Sequence, residues 1–268
     1  MKRANLPDGT PVWCDAPLAV RAVWDEIQTY FPEGQSVKAG DVVFDVGANI
    51  GLFSLAAWQQ SGGMAQIYGF EPMPATCAIY EANARAFDPE GNRWTTIRAG
   101  LGERDEMGVF HHFPRISVLS GRVRDRNRAF ADMDKALAAP TLGAPLEIFN
   151  IFPAWSRRLS GAMVGQFLLA TRPVAASVWT LSRALRTLGV ERVDWLKIDV
   201  EGAELDVLRG VSEADWPRIQ RVLLEAESGE QEGEMRGLLE SAGFRVHSRA
   251  NPVFAGHDLR TLFAVRER

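Results

Sequence analysis

The spacing of apolar residues along the chain alternates between the period of a helix and that of a buried strand. Apolar residues recur at helical spacing between Val20 and Phe31, and Pro32 ends that segment. The next regular stretch, DVVFDV at 41–46, is a short apolar run between acids, which predicts a buried strand. We therefore predict an N-terminal helical segment over 1–40 that caps a larger domain over 41–268.

The alternation of strand and helix continues beyond this first strand. Further strands are predicted in runs rich in branched and aromatic residues, at 65–71, 93–100, 193–200 and 221–227. Helical stretches separate them, including one that Thr180 is expected to cap and Gly189 to end. This order is typical of an α/β domain with right-handed crossovers and a parallel sheet. The last predicted strands, 244–249 and 260–266, have a short connection that allows antiparallel pairing.

The alternation is lost between the third and fourth strands, where we predict an insert over about 103–179. Its second half carries large apolar side chains, among them Phe149, Phe152, Trp155, Phe167 and Trp179. An insert at this position lies above the carboxyl ends of the strands, so we expect a helical lid over the binding site. An extra hydrophobic core is one alternative. A surface against an anionic partner or a membrane is another, because the insert also carries Arg157, Arg158 and Arg172.

Composition narrows the class of protein. Of the 268 residues, 46% are hydrophobic and 24% charged, as in an ordinary globular protein, and the formal charge of −4 gives no basic field for nucleic acid. Cys14 and Cys77 lie far apart, so they are expected as reduced thiols in a cytoplasmic protein. The N-terminus lacks a secretory apolar core, and no apolar run reaches the roughly 18–20 residues of a membrane span.

The turn after the first strand, Gly47-Ala-Asn-Ile-Gly51, is the natural ligand site of such a sheet. It lacks the middle glycine of a dinucleotide fingerprint and the Gly-Lys-Ser/Thr of a phosphate loop, so neither phosphate-holding interpretation fits well. Asp45 precedes the turn, where its charge suits a cationic ligand. Glu71 ends the second strand, where it can accept hydrogen bonds from both ribose hydroxyls. S-adenosylmethionine, a cationic nucleoside without phosphates, fits this arrangement.

Several stretches together resemble the FkbM-type S-adenosylmethionine-dependent methyltransferases. They are VFDVGANIGLFSL (43–55), YGFEP (68–72), VDWLKIDVEGAELDVLRG (193–210) and DWPRIQRVLLEAE (215–227). FPRISVLSG (113–121) is similar to the branch of that family found in polyketide and nonribosomal-peptide systems. The resemblance implies a Rossmann-like class I methyltransferase fold, with a seven-stranded mostly parallel sheet, helices on both faces and an antiparallel last strand. It also implies methyl transfer to a hydroxyl oxygen.

The resemblance further implies which residues hold the cofactor. Carried onto this sequence, they are Asp45, Gly47, Asn49, Gly51, Glu71, Pro72, Gly100, Leu101 and Asp199. The first four line the methionine end, Glu71 holds the ribose, the turn 99–102 borders the adenine, and Asp199 faces the methyl-transfer centre. The chain departs from the family at Glu227, where relatives often have the histidine of a Glu-x-His motif, so no role is carried over to that position.

Methyl transfer to an alcohol requires two atoms in line and the removal of a proton from the acceptor. The candidates for this chemistry stand at strand ends or beside the insert: Asp199, Glu201, Lys197, Glu225 and His112. Lys197 and Asp199 are two apart on a strand and share a face, so they form either a functional pair or a buried ion pair. His111 and His112 are adjacent on a predicted strand, so only one of them can reach the site.

A metal is a further alternative at these strand ends. Hard divalent ions such as Mg²⁺ prefer oxygen ligands. The acids that could supply such ligands are Asp199, Glu201, Glu225 and Glu227. Their spacing does not require an ion, and we predict no metal site.

The sequence as a whole predicts an O-methyltransferase that acts on a hydroxyl of a small-molecule natural product of polyketide or peptide type. The acceptor is either free or tethered to a carrier. A sugar hydroxyl is the nearest alternative acceptor. A nicotinamide-dependent oxidoreductase is disfavoured by the missing glycine, and an inactive cofactor-binding scaffold is the non-enzymatic alternative.

Overall fold

The computed structural model describes residues 1–112, 172–250 and 259–267, except for the side chain of His112. Most of the predicted lid and the 113–121 motif lie outside these residues. The strands are β1 (Lys2–Asn5), β2 (Pro11–Cys14), β3 (Val42–Val46), β4 (Gln66–Phe70), β5 (Trp94–Ile97), β6 (Gly100–Leu101), β7 (Glu106–His112), β8 (Arg172–Trp179), β9 (Trp195–Ile198), β10 (Arg221–Ala226), β11 (Phe244–Ala250) and β12 (Arg260–Arg266). The helices are α1 (Pro17–Tyr30), α2 (Leu52–Gln60), α3 (Pro74–Phe87), α4 (Leu181–Leu188), α5 (Glu204–Arg209) and α6 (Gly229–Ser241).

The main sheet contains seven of these strands in the order β11-β12-β10-β9-β3-β4-β5. Strands β5, β4, β3, β9 and β10 run parallel to one another, and β12 runs antiparallel between β10 and β11. The α/β class and the mainly parallel sheet predicted from the sequence are confirmed. Strand order reverses between β3 and β9, so the carboxyl ends of these neighbours flank the crevice where ligands bind in open sheets.

Alternate residues of the central strands face two separate hydrophobic cores. Val43 and Trp195 belong to the core on the side of α1, α2 and α3, whereas Phe44 and Leu196 belong to the core on the other side. A strand buried on both faces reads as a continuous apolar run, which is why 41–46 lacks alternation in sequence.

The N-terminal segment packs into the first of these cores. The sequence predicted a helix here, and α1 is present, but a hairpin of β1 and β2 precedes it. Val12 of the hairpin and Trp24 of α1 are buried in the same cluster as Phe53 and Trp195. Residues 1–40 therefore share their hydrophobic core with the sheet.

Asn83, on α3, ties this hairpin to the glycine turn. Its side-chain amide donates to the carbonyls of Trp13, at 3.0 Å, and Ile50, at 2.8 Å, and its side-chain oxygen accepts from Trp13 N at 2.8 Å. The residue is 2% exposed. A buried amide whose hydrogen-bonding groups are used in this way fixes the distance between the elements it joins.

The ends of the predicted insert form strands. β8 pairs antiparallel with β7 and parallel with β6, which makes a small sheet beside the main one. Thr180 caps α4 by accepting from Arg183 N at 3.1 Å, and Gly189 ends that helix, as predicted. Cys14 and Cys77 are buried free thiols. No helix in the described ranges is long and apolar enough to cross a membrane.

We expect replacement of Asn83 by alanine to lower the free energy of unfolding by about 2–4 kcal/mol, because it leaves the buried carbonyl of Ile50 and the partly buried backbone groups of Trp13 without this partner. Urea denaturation measures the change. Asn92→Ala is the matched control, since Asn92 is exposed and bonds only within its own loop to Glu90, and its effect should stay below about 0.5 kcal/mol. Equal effects of the two variants would contradict the role given to Asn83.

Candidate active site

The turn after β3 lies directly against the end of β9. Gly47 has a φ of 73°, and a Cβ at this residue would lie 1.8 Å from the carbonyl oxygen of Asp199. A Cβ at Gly51 would lie 3.0 Å from the ring of Tyr80. Both predicted glycines thus allow a close approach of backbone that a larger residue would block.

Two residues other than glycine have a positive φ within the described ranges, and they occupy neighbouring turns. Asn49, after β3, has a φ of 49°, and Glu201, after β9, has a φ of 55°. The second turn is organised by Glu204, whose Oε1 accepts from Val200 N at 3.0 Å and Gly202 N at 3.1 Å. Strained backbone of this kind clusters at functional sites, and both residues were predicted site residues.

Glu71 follows β4 and is held in place by backbone amides. Its Oε2 accepts from Asn49 N at 3.0 Å and its Oε1 accepts from Met73 N at 2.8 Å, while the residue is 6% exposed. Each carboxylate oxygen has two lone pairs, so both retain capacity for a further donor. Burial raises the pKa of Glu71 to about 7, against the opposing effect of these two amides and of Lys197.

The turn 99–102, predicted to border the adenine, packs against Pro72, another predicted cofactor residue. Pro72 follows Glu71 directly. A Cβ at Gly100 would lie 2.9 Å from the ring of Phe110 and 3.7 Å from Pro72 Cβ, and Leu101 is buried. Phe110 comes from β7, so one end of the insert contributes an apolar side chain to this wall, which sequence reasoning missed.

Lys197 joins the ends of β3 and β9 through a buried ion cluster. Its Nζ lies 3.2 Å from Asp45 Oδ1 and 3.3 Å from Asp199 Oδ2, and it donates to the carbonyl of Gly47 at 2.9 Å. Asp45 and Lys197 are register partners on adjacent strands. The side chain of Lys197 is 5% exposed and that of Asp199 is 32% exposed, so Asp199 is the member that reaches the crevice.

Lys197 was a candidate catalytic residue, and its surroundings keep it in the charged form. Burial alone would lower the pKa of this lysine, but Asp45 and Asp199 together outweigh burial and hold the pKa above its ordinary value. A lysine that stays protonated cannot remove a proton. Lys197 therefore makes the contacts of the buried ion pair, the second of the two predicted alternatives, and any other catalytic role for it stays a prediction.

Asp45 lies at the centre of a buried polar network. Its Oδ2 accepts from the hydroxyl of Ser54 at 2.7 Å, Ser54 Oγ lies 2.9 Å from the hydroxyl of Tyr80, and Trp94 donates to that hydroxyl at 2.6 Å. Asp45 is 0% exposed, and the cation beside its carboxylate in the structure is Lys197. The sequence showed the acid but not this network, whose other members come from α2, α3, β5 and β9.

The remaining predicted acids and one unpredicted tyrosine lie near Asp199. Glu201 and Glu225 are partly buried at the ends of β9 and β10. Tyr30, the last residue of α1, is 5% exposed. Burial raises the pKa of Tyr30 well above its ordinary value, and Glu225 and Asp199 raise it further. The available signal was its place on the apolar face of α1, which does not by itself indicate a site.

Two predictions concern metal ligands and a histidine base. No group of three or more histidine, cysteine, aspartate or glutamate side chains in the described part of the chain could hold a metal ion. The acids Asp199, Glu201, Glu225 and Glu227 accordingly do not form such a group. His112 ends β7 in register with Arg172, and its side chain lies outside the described residues, whereas His111 is partly buried.

Comparison with known proteins shows the family of the chain. Residues 45–246 match the family model described as the methyltransferase FkbM domain. The chain belongs to the FkbM methyltransferase family. It is 32% identical over 268 residues to the 31-O-demethyl-FK506 methyltransferase FkbM of Streptomyces tacrolimicus, which covers 98% of this chain and 96% of that protein.

One further relative and one solved structure extend this comparison. The AMB antimetabolite synthetase AmbE of Pseudomonas aeruginosa is 30% identical over 259 residues, which cover 91% of this chain but only 11% of that protein. The crystal structure of a methyltransferase FkbM from Methylobacillus flagellatus shares the fold, with a TM-score of 0.52 and 13% identity, over 89% of this chain and 47% of that one. The protein is an S-adenosylmethionine-dependent methyltransferase of the FkbM family, related to natural-product methyltransferases.

Replacement of Gly47 by alanine tests the contact between the two turns. We expect a loss of roughly 2–5 kcal/mol of unfolding free energy, because the new Cβ overlaps the Asp199 carbonyl and the residue has a positive φ. The matched control is Gly62→Ala, which has a φ of 64° but nothing within 4 Å of the new Cβ. Thermal or urea unfolding of both variants checks this, and equal losses would show that backbone conformation alone accounts for the effect.

The affinity for S-adenosylhomocysteine should depend on pH through Glu71. Burial raises the pKa of Glu71 to about 7, so the ligand-free folded protein takes up a proton as pH falls below that value. Ribose hydroxyls need the ionised carboxylate as acceptor, so binding is favoured above pH 7 and weakened below it. Isothermal titration should give about tenfold weaker binding at pH 6 than at pH 8.

Glu71→Gln is the control for this pH dependence, because it keeps the shape of the side chain and removes the titration. We expect weaker binding of S-adenosylhomocysteine that no longer changes between pH 6 and pH 8. A wild-type protein with the same affinity at both values would contradict the role of Glu71. A slope that persists in Glu71→Gln would assign the titration to another group.

Proposed function

We propose that the protein transfers the methyl group of S-adenosylmethionine to a hydroxyl oxygen of a small natural product of polyketide or peptide type. The observation that carries this proposal is the position of Asp199. Its carboxylate is fixed by Lys197 at 3.3 Å, is 32% exposed, and stands beside the glycine turn at the switch point of the sheet. A fixed, accessible carboxylate at this point can receive the proton of an alcohol.

The residues around the switch point fit S-adenosylmethionine. Glu71 keeps acceptor capacity for two ribose hydroxyls, and the close approach of Gly47 to Asp199 leaves backbone, with no side chain, on that side of the turn. We assign the cofactor to these residues together with Asp45, Asn49, Gly51, Pro72, Gly100 and Leu101. When bound, the cofactor supplies a methyl group activated by its sulfonium. Lys197 and Ser54 already contact the carboxylate of Asp45. Asp45 therefore affects the cofactor through its charge at a distance.

The protein itself orients the acceptor and moves one proton. We assign Asp199 as the base that accepts the proton of the acceptor hydroxyl. Glu201 and Glu225 are the other acidic residues that we assign to the acceptor side of the site. Lys197 stays charged between Asp45 and Asp199 and holds the latter in one position. Orientation of two reacting groups can be worth roughly 7–11 kcal/mol of barrier, and a positioned base about 10²–10⁴-fold in rate.

The relatives support the class of acceptor. The relative from Streptomyces tacrolimicus is named for methylation of 31-O-demethyl-FK506, and the match covers nearly all of both chains. The relative from Pseudomonas aeruginosa is named an antimetabolite synthetase, and the matching part is a small share of it. We therefore expect a hydroxylated small molecule as acceptor, free or tethered to a carrier, rather than nucleic acid. We also expect the enzyme to act in the cytoplasm, where its two thiols stay reduced.

The test is methyl transfer from S-adenosylmethionine labelled with deuterium in its methyl group. A panel of hydroxylated polyketides and peptides, with 31-O-demethyl-FK506 as the first compound, is incubated with the enzyme and analysed by mass spectrometry and NMR, and a separate set of sugars is treated in the same way. We expect a labelled methyl group on oxygen in at least one panel member. The control is Asp199→Asn, which should keep its affinity for S-adenosylhomocysteine within about tenfold and lose at least about 10²-fold in turnover.

Three outcomes would contradict the proposal. Label on nitrogen or carbon would assign another acceptor atom, and transfer confined to sugars would assign another acceptor class. Binding of S-adenosylhomocysteine without transfer to any panel member would favour an inactive scaffold. Full activity of Asp199→Asn would remove Asp199 from the mechanism while leaving the reaction itself in place.

A further inference from the structure

The end of α1 forms an aromatic wall against the first turn of α2. The ring of Tyr30 lies 6.5 Å from that of Phe53, and the ring of the next residue, Phe31, stacks on Phe53 at 5.5 Å with an interplanar angle of 9°. Phe31 also packs edge-on against Trp195 of β9 at 5.6 Å. Phe53 is two residues beyond Gly51, so this wall stands directly behind the glycine turn.

This wall borders the buried ion cluster. Lys197 Nζ lies 5.9 Å from the centre of the Phe53 ring, and the same Nζ lies 3.3 Å from Asp199 Oδ2. Tyr30 thus packs on a ring that also borders the ammonium group holding the proposed base. Its own burial, at 5% exposed, shows that the ring is held by packing.

The order of the strands gives Asp199 two sides, and Tyr30 interacts with an acid on the side away from the glycine turn. Along the sheet, the carboxyl ends come in the order β4, β3, β9 and β10, which carry Glu71, the glycine turn, Asp199 and Glu225. The ribose and glycine-turn positions therefore lie on one side of Asp199, and Glu225 lies on the other. Tyr30 interacts electrostatically with Glu225 and Asp199, and with Glu26 one helical turn earlier on α1. An acceptor that approaches the methyl group from the side opposite the cofactor meets this face.

The chemistry of the tyrosine suits this position. Burial, followed by the neighbouring carboxylates Glu225, Asp199, Glu26 and Glu201, raises the pKa of Tyr30 well above its ordinary value. The phenol therefore stays protonated throughout the working range of pH. A phenol kept in this form can donate a hydrogen bond to an acceptor oxygen without competing with Asp199 for the proton.

We propose that Tyr30 belongs to the acceptor site, where its hydroxyl donates a hydrogen bond to an oxygen of the acceptor next to the hydroxyl that reacts at Asp199. This assignment rests on the proposed function. It makes α1 one wall of the acceptor site, so the N-terminal segment contributes to substrate specificity as well as to the core. Tyr30 has no part in proton transfer and acts by positioning the acceptor.

The test compares Tyr30→Phe with wild type in steady-state methyl transfer. The acceptor is the panel compound that the wild type methylates fastest. The variant keeps the ring contact with Phe53 and removes one oxygen. We expect kcat/KM for the acceptor to fall about tenfold, mainly through KM, the size expected for loss of one hydrogen bond. The dissociation constant of S-adenosylhomocysteine should stay within about twofold.

Tyr68→Phe is the matched control, because it removes the same atom from a partly buried tyrosine that packs on Phe44 at 5.3 Å in the opposite core. Its acceptor KM should equal that of wild type. Thermal unfolding of each variant sets the assay temperature below its transition, so a less stable Tyr30→Phe is still measured in its folded form.

The outcomes separate this inference from the proposed function. An active wild type with an unchanged Tyr30→Phe overturns the role of Tyr30 and leaves the O-methyltransferase assignment intact. Weaker binding of S-adenosylhomocysteine with an unchanged acceptor KM also overturns it, since the tyrosine then serves the cofactor side. A wild type that binds S-adenosylhomocysteine but methylates no panel compound contradicts the proposed function, and the role of Tyr30 falls with it.

Discussion

The contact between the turn after β3 and the end of β9 is the constraint on which the rest of the site depends. Gly47 meets the carbonyl of Asp199 so closely that no side chain fits between them. On the buried side, Lys197 links the same two segments by ion pairs with Asp45 and Asp199 and by a hydrogen bond to the Gly47 carbonyl. A buried ion cluster of this kind is weak evidence for stability, because desolvation offsets much of its attraction. Its effect here is geometric, since it fixes the proposed base relative to the turn that faces the cofactor.

Several features of the fold could be predicted because their signals are local. The continuous apolar run at 41–46 indicated a strand buried on both faces, and Thr180 and Gly189 marked both ends of a helix within ten residues. The glycine turn and Glu71 follow strands that are consecutive in the chain, so their meeting at one edge of a parallel sheet follows from topology. Family resemblance added Asp199, which lies about 150 residues away from the turn it contacts.

Other features were missed because their signals are short or depend on distant packing. The β1–β2 hairpin had a turn signal in Pro7-Asp8-Gly9, but its strands are only four residues each and show no long pattern. Lys197 could not be assigned to one role until β3 and β9 were known to be neighbours, since its partner Asp45 lies on the other strand. Tyr30 carries no motif, and only the docking of α1 places it beside Glu225 and Asp199. Likewise, the pairing of β6 with β8 joins segments that are far apart in the chain.

The position of β12 has a consequence for any attempt to excise this enzyme as a portable unit. Although β12 comes last in the chain, it is an interior strand, paired with β10 on one side and β11 on the other. At the opposite terminus, the hairpin and α1 cover Phe53 and Trp195. Removal of β12 would leave β10 and β11 with unpaired edges, and removal of the N-terminal segment would expose one hydrophobic core. Both changes favour aggregation. A transfer of the catalytic centre into another protein must therefore include both β12 and the N-terminal hairpin with α1.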